Sequence, residues 1–211
     1  MEKIEQDHFT KVGNLAVKAL TTNGFKAQFT ATKQEALQAV LALIDEKASV
    51  GFGGSMTTKA LGIQQALEKR GNIVYNHQGL TKEESLKVRR QENNADVLLA
   101  SSNAITLQGE LINVDGSGNR VAGMIFGPKR VIIVAGANKI VRDEAAGRER
   151  IKMLAAPMNT ARLNCQTPCA KTGVCVDCHI PARICNVTTI IHRPPSAIDF
   201  HIIIVGEALG Y

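Results

Sequence analysis

The 211-residue chain has no tryptophan, few aromatic residues (4%) and no apolar run of membrane length. Its clean apolar runs, Val131 to Ala135 and Ile202 to Val205 among them, fall far short of the roughly 18–20 residues that a bilayer-crossing helix needs. Residues 1–7 carry acids where a secretory signal carries a basic stretch and then an apolar one. A cytosolic protein with no membrane span is therefore expected. With 21% charged and 45% hydrophobic residues, the composition excludes a disordered, collagen-like or disulfide-stapled chain.

Several familiar motifs are missing. No Gly-Lys-Ser/Thr ends the glycine loop as a P-loop requires, and Met56 stands where a dinucleotide fingerprint needs glycine. There is no G-x-S-x-G elbow. The five histidines form no H-x-x-x-H or H-E-x-x-H pair. The net charge of +6 is concentrated: residues 139–193 hold nine Lys/Arg and four Asp/Glu, and no Phe, Trp or Tyr. Single-strand binders set aromatic platforms beside basic grooves, so nucleic acid is not the expected partner.

What is present reads as an α/β protein. Residues 4–22 form an amphipathic helix, stopped by Asn23-Gly24. Strands at 25–30, 49–52, 72–75 and 96–100 alternate with helices after Thr32, over 57–69 and over 82–93. That alternation implies a largely parallel sheet flanked by helices, because parallel neighbours need a helix to carry the chain back. Residues 105–113 read as a hairpin with the two-residue turn Gln108-Gly109, and 115–119 as a loop. A strand at 130–135, a helix at 143–154 and late strands at 188–192 and 201–205 complete the reading, in one domain over 1–211 with a helical segment 1–23 and a cysteine-rich loop 165–186.

Three stretches carry chemistry. The loop from Gly51 to Thr58 lies between a strand and a helix, where backbone N–H groups favour an anion; its alternative role is a tight turn capped by Ser55. Around the loop 115–119, Glu110, Asn113, Asp115 and Asn119 gather acids and amides beside glycines. Glu110 there could serve as base or nucleophile, or the loop could be an ordinary polar turn. All five cysteines fall between Cys165 and Cys185, and Cys175-x2-Cys178 lets two thiolates reach one metal. The reading leaves open an iron–sulfur cluster, zinc, and free thiols or a redox disulfide.

Gly51 to Thr58, Gly109 to Ala122, Phe126-Gly127-Pro128-Lys129, Val134 to Ile140 and Val205 to Tyr211 together resemble the LUD-domain family, that of lactate utilization protein C (LutC/YkgG). The likeness runs over essentially the whole chain. It implies a fold like that of the CoA-transferase and ribose-5-phosphate isomerase group (NagB/RpiA-like), in which the glycine loop cradles an anion. Carried onto this sequence, Gly53, Gly54, Ser55 and Thr57 are the expected ligand-binding residues; Gly116, Asn119, Arg120 and Lys139 are expected beside them from the loop and its charges, and Glu110 and Asp115 are the candidate catalytic residues of that loop. The cysteine block departs from the plain family pattern and resembles a subgroup for which a metal or cluster is suspected. Cys169, Cys175, Cys178 and Cys185 are the expected ligands of an iron–sulfur cluster, with zinc as the alternative, and Cys165 is the spare. The resemblance implies an accessory or electron-transfer component in oxidation of lactate or a related hydroxy acid, binding a small anionic metabolite and meeting redox partner proteins. A non-redox isomerase, cyclo-ligase or transferase acting on a phosphorylated or CoA-linked molecule, and a zinc-stabilised binding or regulatory module, are the alternatives. A homo-oligomer stays open.

Overall fold

A computed structural model describes residues 3–211; Met1 and Glu2, part of the expected helical segment, lie outside the described residues. Helix α1 (Lys3–Thr22) leads into β1 (Lys26–Thr30), α2 (Lys33–Ala42) and β2 (Ser49–Phe52). The start of α2 is fixed by the Thr32 hydroxyl, which accepts from the Glu35 backbone N–H, while the Glu35 carboxylate accepts from that of Ala31. The expected helix over 57–69 is broken into α3 (Met56–Ala60) and α4 (Ile63–Arg70), because Gly62 takes a left-handed φ of 66°. Next come β3 (Ile73–Tyr75), α5 (Lys82–Asn94), opened by a capping box of Thr81 and Glu84, and β4 (Val97–Ala100).

The middle of the chain departs further from expectation. Strands β5 (Ala104–Thr106) and β6 (Leu111–Asp115) form the hairpin, but Ile105 pairs with Leu111 and the Thr106 N–H donates to Glu110 O. The connection is thus the three residues Leu107 to Gly109, not two. Residues 115–119, expected as loop, run into a short helix, α6 (Asn119–Ile125). Strand β7 (Arg130–Gly136) is followed by a single 3-10 turn over Ala137–Lys139 and by the short β8 (Ile140–Val141).

The expected helix over 143–154 is α7 (Glu144–Arg150), continued by a π-helical turn, Ile151–Ala155, into α8 (Ala156–Arg162). Pro157 explains the wide turn: it has no N–H, and its ring crowds the carbonyl four residues back. A further short helix, α9 (Pro168–Thr172), lies inside the cysteine-rich stretch, and β9 (Val187–Ile191) and β10 (Asp199–Val205) close the chain.

The strands form two sheets rather than one. The larger has the order β1-β10-β7-β4-β2-β3 and every pair is parallel. Both faces are buried, as a parallel sheet covered by helices requires. On one face Val131, Ile133, Ile202 and Ile204 pack with Leu20 of α1, Met124 of α6 and Ile105 of the hairpin. On the other, Ile132, Val134, Ile203 and Val205 pack with Val40 of α2 and Ile63 and Leu67 of α4. The smaller sheet, β8-β5-β6-β9, is mixed. Among the described residues no helix is long and apolar enough to cross a membrane.

Candidate functional site

A cleft of about 440 Å³ opens where the strands of the large sheet end. The loops leaving β2, β3, β4 and β7 at their carboxyl ends all reach it. After β2 the chain passes to the face carrying α4, and after β4 to the face carrying the small sheet, so the cleft lies where neighbouring connections diverge. Open α/β sheets bind ligands at such divergences. Of the residues expected there, Gly53, Gly54 and Ser55 come from the glycine loop, Asp115, Gly116, Asn119 and Arg120 from the end of β6 and the start of α6, and Lys139 from the turn after β7. Arg89 and Arg162 also line it, so four cationic side chains face one carboxylate, that of Asp115.

Lys139 is 3% exposed. Its ammonium donates to the Thr57 hydroxyl at 2.9 Å and the Ser101 hydroxyl at 3.0 Å. Thr57 Oγ1 in turn donates to Leu209 O, tying the C-terminal segment to the site. Among the described residues no carboxylate pairs with Lys139. Burial, with Arg150 and Arg120 adding their repulsion, lowers its pKa to about 7. A buried amine without a counter-ion is one that an incoming anion would hold charged.

Arg120 has a different character. Its Nε and Nη2 donate to Asp115 Oδ1, its Nη1 to Ser101 O and Asn113 Oδ1, and its Nη2 also to Asn103 Oδ1 and Val114 O. All five N–H donors of the guanidinium are engaged by the protein itself. Asp115 is equally occupied, since its second oxygen accepts from the Val121 N–H. Arg120 and Asp115 therefore shape the wall and hold the start of α6 to the end of β6. Ser55 uses its hydroxyl to cap α3, accepting from the N–H groups of Thr57 and Thr58.

Glu110 lies apart from this group. It sits at the hairpin connection, where Oε1 pairs with His192 Nδ1 at 2.8 Å and Oε2 accepts from the Thr106 hydroxyl, and it lines neither the cleft nor the cavity described next. Several residues of the cleft went unnoticed in the sequence, among them Arg89, Arg162, His77 and Tyr211. His77, on the loop after β3, places Nδ1 2.7 Å from Glu92 Oε1. Tyr211 lines the cleft with its hydroxyl buried and without a partner among the described residues. No spacing rule joins His77 to Glu92, fifteen positions away on α5.

A second cavity, of about 180 Å³, adjoins the cleft. Cys169, Cys175, Cys178 and Cys185 line it, and Cys165 does not. Val114, Ile151, Ala156, Ile184 and Cys185 belong to both cavities, so the two sites share a wall. The π-helical turn supplies part of that wall. The five cysteines form no disulfide. Cys169 Sγ lies 3.4 Å from the hydroxyls of Thr160 and Thr167, and the Asp177 N–H donates to Cys175 Sγ at 3.4 Å. Burial raises the Cys185 thiol; Arg183 opposes this, and Cys175, Cys169 and Cys178 add to it. The thiols surround a space without converging: among the described residues no three His, Cys, Asp or Glu side chains stand where one metal ion could be shared.

Comparison with known proteins agrees with this architecture. No curated protein matches the sequence. A solved structure, that of a DUF162 family protein from Deinococcus radiodurans, is similar in fold, with a TM-score of 0.54 and 13% identity over 93% of this chain and 98% of that one. The family model described as LUD domain matches residues 14–205, from within α1 to the last residue of β10, and the chain belongs to the LUD-domain family.

Proposed function

We propose that the protein is a LutC-like component in oxidation of lactate or a related hydroxy acid, holding an anionic metabolite in the cleft beside a cysteine-ligated cluster. The observation that carries this reading is the shared wall: Cys185 and Ile184 line both the cleft and the cysteine cavity. A ligand in the cleft and a group in the cavity would be separated by side-chain thickness. The excess of cationic side chains over carboxylates around the cleft supports an anionic ligand. Lys139, held in place by Thr57 and Ser101, would take its charged end, with Gly53, Gly54, Gly116 and Asn119 lining the space beside it.

Four cysteine thiols around one cavity are the donor set that a cluster takes, with zinc as the alternative. Three polar neighbours, Thr160, Thr167 and the Asp177 N–H, already lie beside Cys169 and Cys175, and hydrogen bonds to sulfur are one means by which a protein tunes such a group. When bound, a cluster supplies one-electron transfer. The non-redox alternative draws less support, because Glu110 lines neither cavity and both oxygens of Asp115 are engaged by Arg120 and Val121.

The test is purification without oxygen, followed by visible absorption and by iron, acid-labile sulfide and zinc per chain. Iron and sulfide in roughly equal amounts, about four of each for a cubane, with loss of both in Cys178→Ser and retention in Cys165→Ser, is the expected result. One zinc per chain and no colour would overturn the electron-transfer reading.

A further inference from the structure

We infer that His77, positioned by Glu92, is the hydroxyl-recognising group of the cleft, so that the site selects anionic ligands carrying a hydroxyl over their deoxy counterparts. The inference rests on the reading that the cleft binds a hydroxy acid, and it adds which side chain reads the hydroxyl.

Glu92 is 1% exposed, on the face of α5 turned toward the large sheet. Its Oε1 accepts twice from His77, from the backbone N–H at 2.8 Å and from ring Nδ1 at 2.7 Å. Two bonds to one residue fix both the loop and the plane of the ring. A carboxylate can only accept, so Nδ1 carries the proton in this pair. With one proton on the ring, the lone pair lies on Nε2.

Nε2 has no partner among the described residues, and His77 lines the cleft. The Cε1–Nε2 edge is turned to the glycine loop: a Cβ on Gly54 would lie 3.4 Å from Cε1 and 3.5 Å from Nε2. Gly54 has a φ of 71°, so the loop meets the ring with bare backbone at a conformation that other residues resist. The result is a fixed acceptor at the glycine loop of a cleft whose other lining includes the uncompensated Lys139. An anion at Lys139 and a hydroxyl donating to Nε2 would use both. Glu92 touches no ligand and acts as a positioning residue; its Oε2 is buried without a partner, which leaves Oε1 as the one oxygen engaged.

The experiment compares lactate with propanoate, which differ by the hydroxyl alone, by calorimetric titration of the protein as isolated and by the nitrogen shifts of the His77 ring. The expected result is about tenfold tighter binding of lactate, the worth of one well-placed hydrogen bond, with His77 Nε2 shifting on addition of lactate and not of propanoate. His77→Phe should bring lactate to the propanoate level. Glu92→Gln should weaken the preference without abolishing propanoate binding. Equal binding of both acids, or binding of both with no movement of Nε2, overturns the role of His77 while leaving the hydroxy-acid reading in place. Failure of either acid to bind overturns the hydroxy-acid reading and this inference with it. The shift measurement needs no variant and holds if a substituted protein fails to fold.

Discussion

The two sheets are held by different physics. In the large sheet, β7 and β10 are apolar on both faces, and Ile132, Ile133, Ile202 and Ile203 are fully buried beneath helices. Its stability comes from apolar area removed from water, spread over many side chains. The small sheet has a much smaller apolar cluster, built around Ala104, Ile112, Ile151 and Ala156. Beside the apolar contact of Ile105, Leu111 and Ile191 with the core of the large sheet, it is tied to the rest by a polar hub: Arg120 links the segment after β4, through Ser101 and Asn103, to Asn113, Val114 and Asp115 of β6. The large sheet spreads its stability over many apolar contacts, whereas the small sheet and the wall it gives to both cavities concentrate much of their polar bonding on one residue.

The sharpest way to break this contrast is Arg120→Met. Removing one partner of a buried, fully bonded ion pair typically costs about 3–5 kcal/mol, because the remaining groups are stranded. We expect a loss of that size in urea unfolding, with hydrogen exchange rising first in β6 and β9 while β7 and β10 stay protected. Equal loosening of both sheets would remove the distinction. Ile202→Ala supplies the counterpart. It should cost about 2–5 kcal/mol by cavity formation, measured the same way, yet leave the ratio of exchange rates between the sheets unchanged.

The same contrast explains what the sequence reveals. Strands and helices of the large sheet follow local rules: the Thr32 and Glu35 pair marks the start of α2, and the buried runs of β7 and β10 stand out as apolar. The small sheet does not follow such rules. Strand β9 is exposed at Val187 and Thr188, and it pairs with β6 across the whole cysteine-rich stretch, so nothing local announces the partnership. Helix α6 is short, begins after a left-handed Gly118 and contains Gly123, a composition that reads as loop. The glycine loop and Lys139 were legible because a strand-to-helix turn and a family motif mark them. The link between His77 and Glu92 was not, since side chains meet there through the packing of α5 against β2 and β3 rather than through spacing. Glu110 shows the opposite failure: a carboxylate beside a polar loop in sequence is turned to His192 in space.

Lys139 gives a prediction of pH dependence at the boundary between the sheets. Its pKa is lowered to about 7 in the folded protein, against about 10.4 in an unfolded chain. Between these values the unfolded state binds more protons, so the contribution of Lys139 to stability rises with pH, by at most about 1.4 kcal/mol per unit. Below pH 7 both states are charged and the folded protein bears the full cost of the buried ammonium. Lys139→Met should therefore be favoured over the unsubstituted protein most at pH 6, and the difference should shrink steadily as unfolding is measured toward pH 10. A difference that does not vary with pH would mean that Lys139 is compensated in the ligand-free protein.

The smallest effect belongs to the far edge of the large sheet. Asp199, at the start of β10, accepts from Lys26 of β1, Arg130 of β7 and His201 of its own strand. Burial alone would raise its carboxyl, but hydrogen bonds from Lys26, Arg130 and His201 outweigh that and hold its pKa well below the usual range. A depressed carboxylate stabilises the fold above its unfolded value, near 3.9, and that stabilisation is lost as pH falls through the folded one. Asp199 is about a quarter exposed, so solvent and salt screen the pairs and Asp199→Asn should cost under about 1 kcal/mol at pH 7. The gap between the two proteins should narrow with added salt and as unfolding is measured toward pH 3. Because β10 begins at the edge opposite the cleft, ligand binding should be unchanged in this variant. A loss of binding there would show that the large sheet transmits strain to its carboxyl ends, and would erase the independence of the two sheets that Arg120→Met is meant to test.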